Sequence, residues 1–326
     1  MGPDANSTAR RRVVALATAA DAWAVDDDAT PLLAALRATG VDAHPAVWDD
    51  PSVHWAGADL VVLRSTWDYA RRRPEFLKWA DRVAAVTRLH NPPGVLRWNT
   101  DKRYLADLAA AGIAVVGTHF IDPGASADGS IDSAIATAID TASVNSAIDT
   151  AIDTAIDAGG DVVVKPSVSA GSKDTGRFGP GDREAAGALA AAIVAEGRTA
   201  MVQPYLASVD ERGETGLVYF DGRFSHAFEK GPLLAPGGAV EPGLFALEAI
   251  APRVAAGDEL DLGRAVVDRV VERFGEHPLY ARVDLLRDDR GAPVVLELEL
   301  TEPSWFLDTD PGAAGRAASA IRDRLR

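Results

Sequence analysis

The chain has 326 residues, 47% of them hydrophobic and 25% charged, with no cysteine and a net charge of −15. That length exceeds one ordinary core and fits two or three lobes around a cleft, while the missing thiols exclude disulfides, thiolate catalysis and Cys-bound zinc. So acidic a surface opposes phosphate backbones and anionic bilayers, so no nucleic-acid or membrane partner is expected, and a phosphate-bearing ligand requires well-placed Lys and Arg.

Residues 1–11 read as a disordered polar tail. Arg10, Arg11 and Arg12 before an apolar run mimic a signal peptide only loosely, because Asp21 ends the run and Asp26, Asp27 and Asp28 follow. No stretch reaches the length of a membrane span, and a cytoplasmic setting is expected. Residues 12–93 then alternate strand and helix patterns. Strands are predicted over 12–18, 41–47, 58–63 and 88–91, and helices over 30–39 and 74–88, which makes a small Rossmann-like α/β lobe. The third strand is continuously apolar, as a strand covered on both faces should be.

A second lobe, 94–201, is expected to hold a helix over 100–111, strands over 113–121, 161–165 and 200–204, and a helix over 182–196. Inside it, residues 126–158 repeat the tetrad Ile-Asp-Thr-Ala. Isoleucines spaced by four fall on one helical face, giving two helical pieces broken near 143–146 or one partly disordered insert. A third lobe, 202–326, reads as hairpin strands over 213–220 and 223–230, a long amphipathic helix over 260–274, a hairpin over 280–287 and 293–300, and a C-terminal helix over 312–325.

Four segments carry chemistry. Lys102 follows Asn99-Thr100-Asp101 at a predicted helix start, where a cation opposes the helix dipole unless an anion shares the site. Lys165 ends an apolar strand at the ligand edge of a sheet and leads into a loop with Ser167, Ser169, Gly171, Ser172, Thr175 and Gly176, whose small residues let backbone N–H groups approach phosphate oxygens. The extended run Gln203–Leu206, with Tyr205 inside it and Glu211 and Glu214 beyond, reads by itself as an ordinary interdomain connector, and can also offer backbone donor and acceptor groups to an adenine edge. In 281–304, Arg282 and Asp284 share one strand face, and Glu297 and Glu299 share one face of the returning strand. Such a buried carboxylate cluster needs cations, and oxygen-only ligands suit Mg²⁺.

Substrate contacts are sought after the third strand. Arg64 can grip a carboxylate bidentately and Asp68 can take an α-ammonium, with Ser65, Thr66, Trp67 and Tyr69 beside them. His226 and Lys230 have even spacing on a hairpin strand and so face one side, read as the cleft. Glu302 and Ser304 follow the acidic hairpin and border the same space.

Taken together, LRSTWDY (63–69), NPPGVLRWNTDKRYL (91–105), VVVKPSVSAGSKDTGRF (162–178), VQPYL with GETGLVYFDGRFSHAFEKGPLL (202–234) and ARVDLL with LELELTEPSWFL (281–307) resemble the ATP-grasp superfamily, and within it the branch holding the O-ureido-serine cyclo-ligase of cycloserine biosynthesis. The resemblance implies an ATP-grasp fold, α/β and α+β, with a Rossmann-like lobe before two lobes that clasp ATP. It implies that Lys102 and Lys165 bind ATP phosphates under the 169–177 loop. Gln203, Tyr205 and Leu206 would hold adenine, with Glu211 or Glu214 near the ribose or adenine amine. Arg282 would meet the γ-phosphate and the developing oxyanion, and Asp284, Glu297 and Glu299 would hold magnesium, two ions in all. Many ATP-grasp enzymes place Asn last in this set, and Glu299 departs from that.

The activity so implied is ATP- and magnesium-dependent ligation of a small amino-acid-like carboxylate to an amine through an acyl phosphate, in specialised metabolism. The bond is either intermolecular or an intramolecular ring closure. His226 and the phosphate itself both stand as general bases. A small-molecule kinase and a non-catalytic nucleotide-binding module are rival readings. By analogy with other ATP-grasp enzymes, a homodimer or homotetramer is expected.

Overall fold

The computed structural model describes residues 10–123, 133–171, 173–234, 238–239 and 249–326. Most of the expected tail, the start of the repeat and Ser172 therefore lie outside the described residues. Arg10 and Arg12, at the tail's end, reach Asp59 at 2.7 and 3.2 Å.

Four parallel strands, β1 (Val13–Thr18), β2 (Asp42–Val47), β3 (Leu60–Leu63) and β4 (Leu89–His90), stand in the order β2-β1-β3-β4. Helices α1 (Ala29–Ala38) and α2 (Arg73–Ala84) connect them, and all four β3 residues are buried. That double cover explains why β3 reads as an unbroken apolar run. Helix α2 turns Phe76, Trp79, Ala80 and Val83 inward, a stripe at three- and four-residue spacing. Trp48 meets Phe76 edge-on at 5.5 Å between ring centroids, and burying each such ring stabilises the lobe by about 2–3 kcal/mol.

The expected helix over 100–111 starts later, as α4 (Tyr104–Ala110), and a helix that was not expected, α3 (Pro93–Asn99), precedes it, with Lys102 in the turn between them. Pro92 and Pro93 do not break a helix here; Pro93 starts one, where its missing N–H would have no partner in any case.

An antiparallel sheet follows, built from β5 (His119–Ile121), β6 (Val162–Pro166), β7 (Gly176–Phe178) and β8 (Ala200–Pro204), with the short β11 (Gly238–Ala239) at one edge; the order is β11-β7-β6-β8-β5. Helices α5 (Ser133–Gly159) and α6 (Arg183–Ala195) cover it. Helix α5 runs unbroken through 143–146, contrary to the predicted break. Ser and Asn there cost only a few tenths of a kcal/mol each, while Ile148, Ala151, Ile152 and Ala155 bury against Ala186, Ala190 and Ile193.

After α7 (Ser208–Arg212), the second antiparallel sheet contains β9 (Glu214–Phe220), β10 (Arg223–Lys230), β12 (Ile250–Arg253), β13 (Tyr280–Arg287) and β14 (Pro293–Glu299), ordered β12-β10-β9-β13-β14, with α8 (Gly257–Phe274) on its core face. Asp221 and Gly222 both take positive φ, 50° and 72°, which makes the tight β9–β10 turn. The last helix, α9 (Ala313–Asp323), packs on α1, and its Ala313, Ala317, Ala318 and Ile321 join the core of the first lobe. Among the described residues no helix is long and apolar enough to cross a membrane.

Candidate active site

Residues from both antiparallel sheets and from segments that follow strands of the first lobe converge on one cleft of about 1600 Å³. Its chemistry begins with a bulge. Asp284 pairs with Glu297 and Arg282 with Glu299, but Leu285 pairs with Val295, so Leu296 is an extra residue on β14. The bulge switches the parity of the strand. Val295 before it and Leu298 after it both enter the core, while Glu297 and Glu299 face the cleft beside Asp284. Without the extra residue both carboxylates would share the buried face of Val295.

Arg282 grips Asp284 in bidentate fashion, Nε to Oδ1 at 2.9 Å and Nη2 to Oδ2 at 2.8 Å, and also hydrogen-bonds Glu299. Its Nη1 donates to the Ser304 carbonyl at 3.1 Å. Lys102 Nζ pairs with Glu297 at 3.0 Å and donates to the Ser169 carbonyl at 3.1 Å. The turn that carries Lys102 is pinned by its own N–H on the Ser167 carbonyl, 2.9 Å. Lys165 projects from β6 into the same space and has no hydrogen-bond or ion-pair partner among the described residues. Across the cleft Lys230 lies 3.5 Å from Glu214.

The electrostatics follow from crowding. Burial drives Glu299 above the ordinary carboxylate range, and Glu297 and Asp284 add to this against the pull of Arg282. Burial acts the same way on Glu297, but Lys102 and Lys165 overcome it and hold its carboxyl low. Lys165 is pushed below its usual value by burial, and the nearby Lys102 adds to that. Lys102 stays raised because Glu297 outweighs its burial. Among the described residues no three acidic or histidine groups stand as a ready-made metal cage: Arg282 and Lys102 serve the carboxylates as internal counter-ions. Three hard oxygen donors beside four cations are the chemistry of a site for magnesium that arrives with a polyphosphate.

At the other end, Val116, Val163 and Leu286 with Tyr205 line an apolar slot. The Tyr205 ring lies 3.5 Å below the Arg177 guanidinium, and its hydroxyl donates to Asp210 at 2.6 Å. The buried Gln203 amide donates to Thr118 at 2.8 Å. Leu206 packs beside the slot and Glu214 lines the cleft, but Glu211 does neither: it is exposed on α7, outside the cleft. Ser169 and Gly171, the latter at φ 66°, border the phosphate side.

Several expected substrate residues are elsewhere. Arg64 is 1% exposed and held within the fold, its Nη atoms donating to Asp26, Asp28 and the Pro303 carbonyl while its buried Nε has no hydrogen-bond partner. Ser65 hydrogen-bonds Thr18, and Thr66 is buried. Asp68 accepts from Trp48 and Arg72 and does not line the cleft. Only Trp67 and Tyr69 of that run line the cleft. His226 shares a strand face with Lys230 but lies deeper. Its Nε2 bonds the Trp305 carbonyl at 2.7 Å, which requires the proton there, so Nδ1 accepts from Ser225. Both nitrogens are occupied, and the ring is no general base. Glu302, with Tyr69 on its carboxyl, and Ser304 do border the cleft. Asp26, Asp27, Asp28, Arg71 and Phe306 line it too and were missed; the Asp run lies just past the end of β1, at the ligand edge of a parallel sheet, which was a usable signal.

A family model described as the N-terminal domain of D-cycloserine synthetase DcsG matches residues 14–91. The cycloserine biosynthesis protein DcsG of Streptomyces lavendulae is 38% identical over 316 residues, 96% of this chain and 99% of that protein. The crystal structure of D-cycloserine synthetase DcsG matches with a TM-score of 0.85 at 38% identity, over 96% of this chain and 100% of that one. The ATP-grasp ligase PsnB, in complex with a minimal precursor, is 18% identical with a TM-score of 0.59, over 97% of this chain and 100% of its own, and shares the fold.

Proposed function

This chain belongs to the D-cycloserine synthetase family of ATP-grasp ligases, and from that premise we propose that it activates the carboxylate of a small amino-acid-like substrate with ATP and closes a carbon–nitrogen bond within the same molecule, as a cyclo-ligase. The observation that carries the reading is the meeting of Lys102 and Lys165 with Asp284, Glu297 and Glu299 in one cleft. Ring closure is favoured over joining two molecules by the 38% identity to a cycloserine biosynthesis protein along nearly the whole chain.

In this reading adenine enters the slot at Gln203, Tyr205 and Leu206. Lys102 and Lys165 draw the β- and γ-phosphates, Lys102 exchanging Glu297 and Ser169 for them. Asp284, Glu297 and Glu299 would hold two Mg²⁺ ions, which when bound neutralise charge on the transferring phosphoryl group. A substrate carboxylate oxygen attacks the γ-phosphorus and ADP leaves. The resulting acyl phosphate has a leaving group that a carboxylate lacks. The substrate nitrogen attacks its carbonyl carbon, Arg282 steadies the oxyanion, and inorganic phosphate departs with the nitrogen's proton, since His226 is not free to take it. Lys230 and Glu214 face each other across the same space. The 169–177 loop would exclude water that otherwise hydrolyses the acyl phosphate. The same reading carries a cytoplasmic setting and a homodimer or homotetramer.

The test is incubation with ATP, Mg²⁺ and O-ureido-serine, scoring ADP and product mass. A ring-closed product with stoichiometric ADP is expected, and Asp284→Asn should lower kcat/KM by about 100-fold or more. ADP without any new C–N bond, and no hydroxamate on adding hydroxylamine, would make the protein a kinase instead. No ADP above the substrate-free level, across a panel of amino acids, would end the reading.

A further inference from the structure

Residues 300–307 follow β14 and belong to no strand, yet side chains from distant parts of the chain hold their backbone. Trp67 Nε1 donates to the Glu302 carbonyl at 3.2 Å, Arg64 Nη1 to that of Pro303 at 3.1 Å, and Arg282 Nη1 to that of Ser304 at 3.1 Å. His226 takes the Trp305 carbonyl, and Asp28 accepts the amides of Trp305 and Leu307 at 2.5 and 2.8 Å. The segment alternates: Glu302, Ser304 and Phe306 line the cleft, while Trp305 and Leu307 enter the core of the first lobe. Phe306 has φ 49°, a left-handed conformation that residues with a side chain seldom adopt unless their surroundings fix it.

Arg64 is the centre of this arrangement. Its Nη2 lies 3.1 Å from Asp28 and 3.4 Å from Asp26, and its guanidinium carbon 3.8 Å over the Trp305 ring. A buried ion cluster is a poor way to gain stability, because desolvation offsets most of the attraction. What it supplies is direction. One carboxylate fixes two amides, one planar cation fixes a carbonyl and a ring, and together they determine where the intervening cleft-facing side chains point.

We propose that Arg64 and Asp28 are positioning residues of the ligase. Neither meets the reacting atoms. They act through residues 302–307, setting Glu302, Ser304 and Phe306 against the bound substrate and the Ser304 carbonyl against Arg282. The inference rests on the ligase reading above, since it needs a substrate on that side of the cleft.

The test uses the full chain carrying Asp28→Asn, Asp28→Ala or Arg64→Lys. Arg64→Lys keeps the charge that balances Asp26 and Asp28, so it protects the fold if Asp28→Ala fails. Hydrogen exchange at the Trp305 and Leu307 amides should accelerate in the Asp28 variants. KM for O-ureido-serine should rise, and kcat fall, for a combined loss of about 10- to 100-fold in kcat/KM, the scale of a misplacement near one ångström. Affinity for Mg·ADP should stay within about twofold, and Asp28→Asn, which keeps one acceptor, should be milder than Asp28→Ala. Folded variants with faster exchange but unchanged KM and kcat would overturn the proposal. So would a parallel loss of Mg·ADP binding, the mark of a merely structural role. If wild-type protein ignores O-ureido-serine, the function reading fails on its own account, and any amino acid in the panel that releases ADP replaces it as the kinetic probe.

Discussion

Lys165 carries an ammonium into a cleft where no acceptor among the described residues meets it, and burial pushes its pKa down. A cation held in that way is a cost to the free protein that a polyphosphate removes. Replacing it with methionine keeps the stem and deletes the charge. Lys165→Met should therefore leave the ligand-free melting temperature unchanged or raise it by about 1–3 °C, while nucleotide affinity falls by roughly 10- to 100-fold, the value of a charge-assisted contact. Differential scanning fluorimetry and titration with Mg·ADP read the two effects separately; a parallel fall in both would make Lys165 structural. Residues of this kind were legible in the sequence because a Lys at the end of an apolar strand has few places to go. Arg64 was not. A bidentate grip on a carboxylate is as available to Asp28 as to a ligand, and a single sequence does not say which carboxylate lies nearest.

At the scale of elements, the acidic hairpin was legible as two strands with a carboxylate face, because alternation of side chains fixes which residues share a side. The bulge that lets β14 keep both Val295 and Leu298 inside was visible only as a run of three apolar residues before the alternation begins. The Lys102 helix was misread because Pro-Pro-Gly marks a start as well as a stop, and α5 because its buried isoleucines outweigh weak formers. Where strands meet, small residues set the spacing. Gly216 lies opposite Asp284 on one side and Phe228 on the other, and an added Cβ would come within 2.0 Å of the Phe228 ring. That ring packs 4.4 Å from Phe306 between centroids and backs Arg282 at 5.9 Å. Gly216→Ala should cost about 1–3 kcal/mol through overpacking. Because the displaced ring packs against Arg282 and Phe306, kcat/KM should fall by more than tenfold in protein that is still fully folded. Urea unfolding alongside steady-state kinetics distinguishes this from simple destabilisation, in which activity follows the folded fraction.

For the whole molecule, the chain returns to its beginning: α9 packs on α1, and Trp305 and Leu307 sit in the core of the first lobe. The first lobe is thus tied both to the acidic hairpin and to the chain end, and its stability should be shared by the rest. Its pH dependence has an identifiable source. His90, on β4, is buried with Nδ1 unpartnered, and burial, with Arg324 nearby, lowers it from 6.5 to about 4. The neutral ring is the folded form, so below pH 6.5 the unfolded chain binds a proton that the folded chain refuses. Stability contributed by this site is complete above that pH and drains away as the pH falls toward 4, by roughly 3 kcal/mol in all. His226, lowered by burial as well, pulls in the same direction. His90→Asn removes the titration, so the variant should lose about 2 kcal/mol less than wild type between pH 7.5 and pH 5. Urea unfolding at the two pH values measures the difference. Equal losses in both proteins would mean that the ring protonates in place, and that acid sensitivity arises instead from the carboxylates around the cleft.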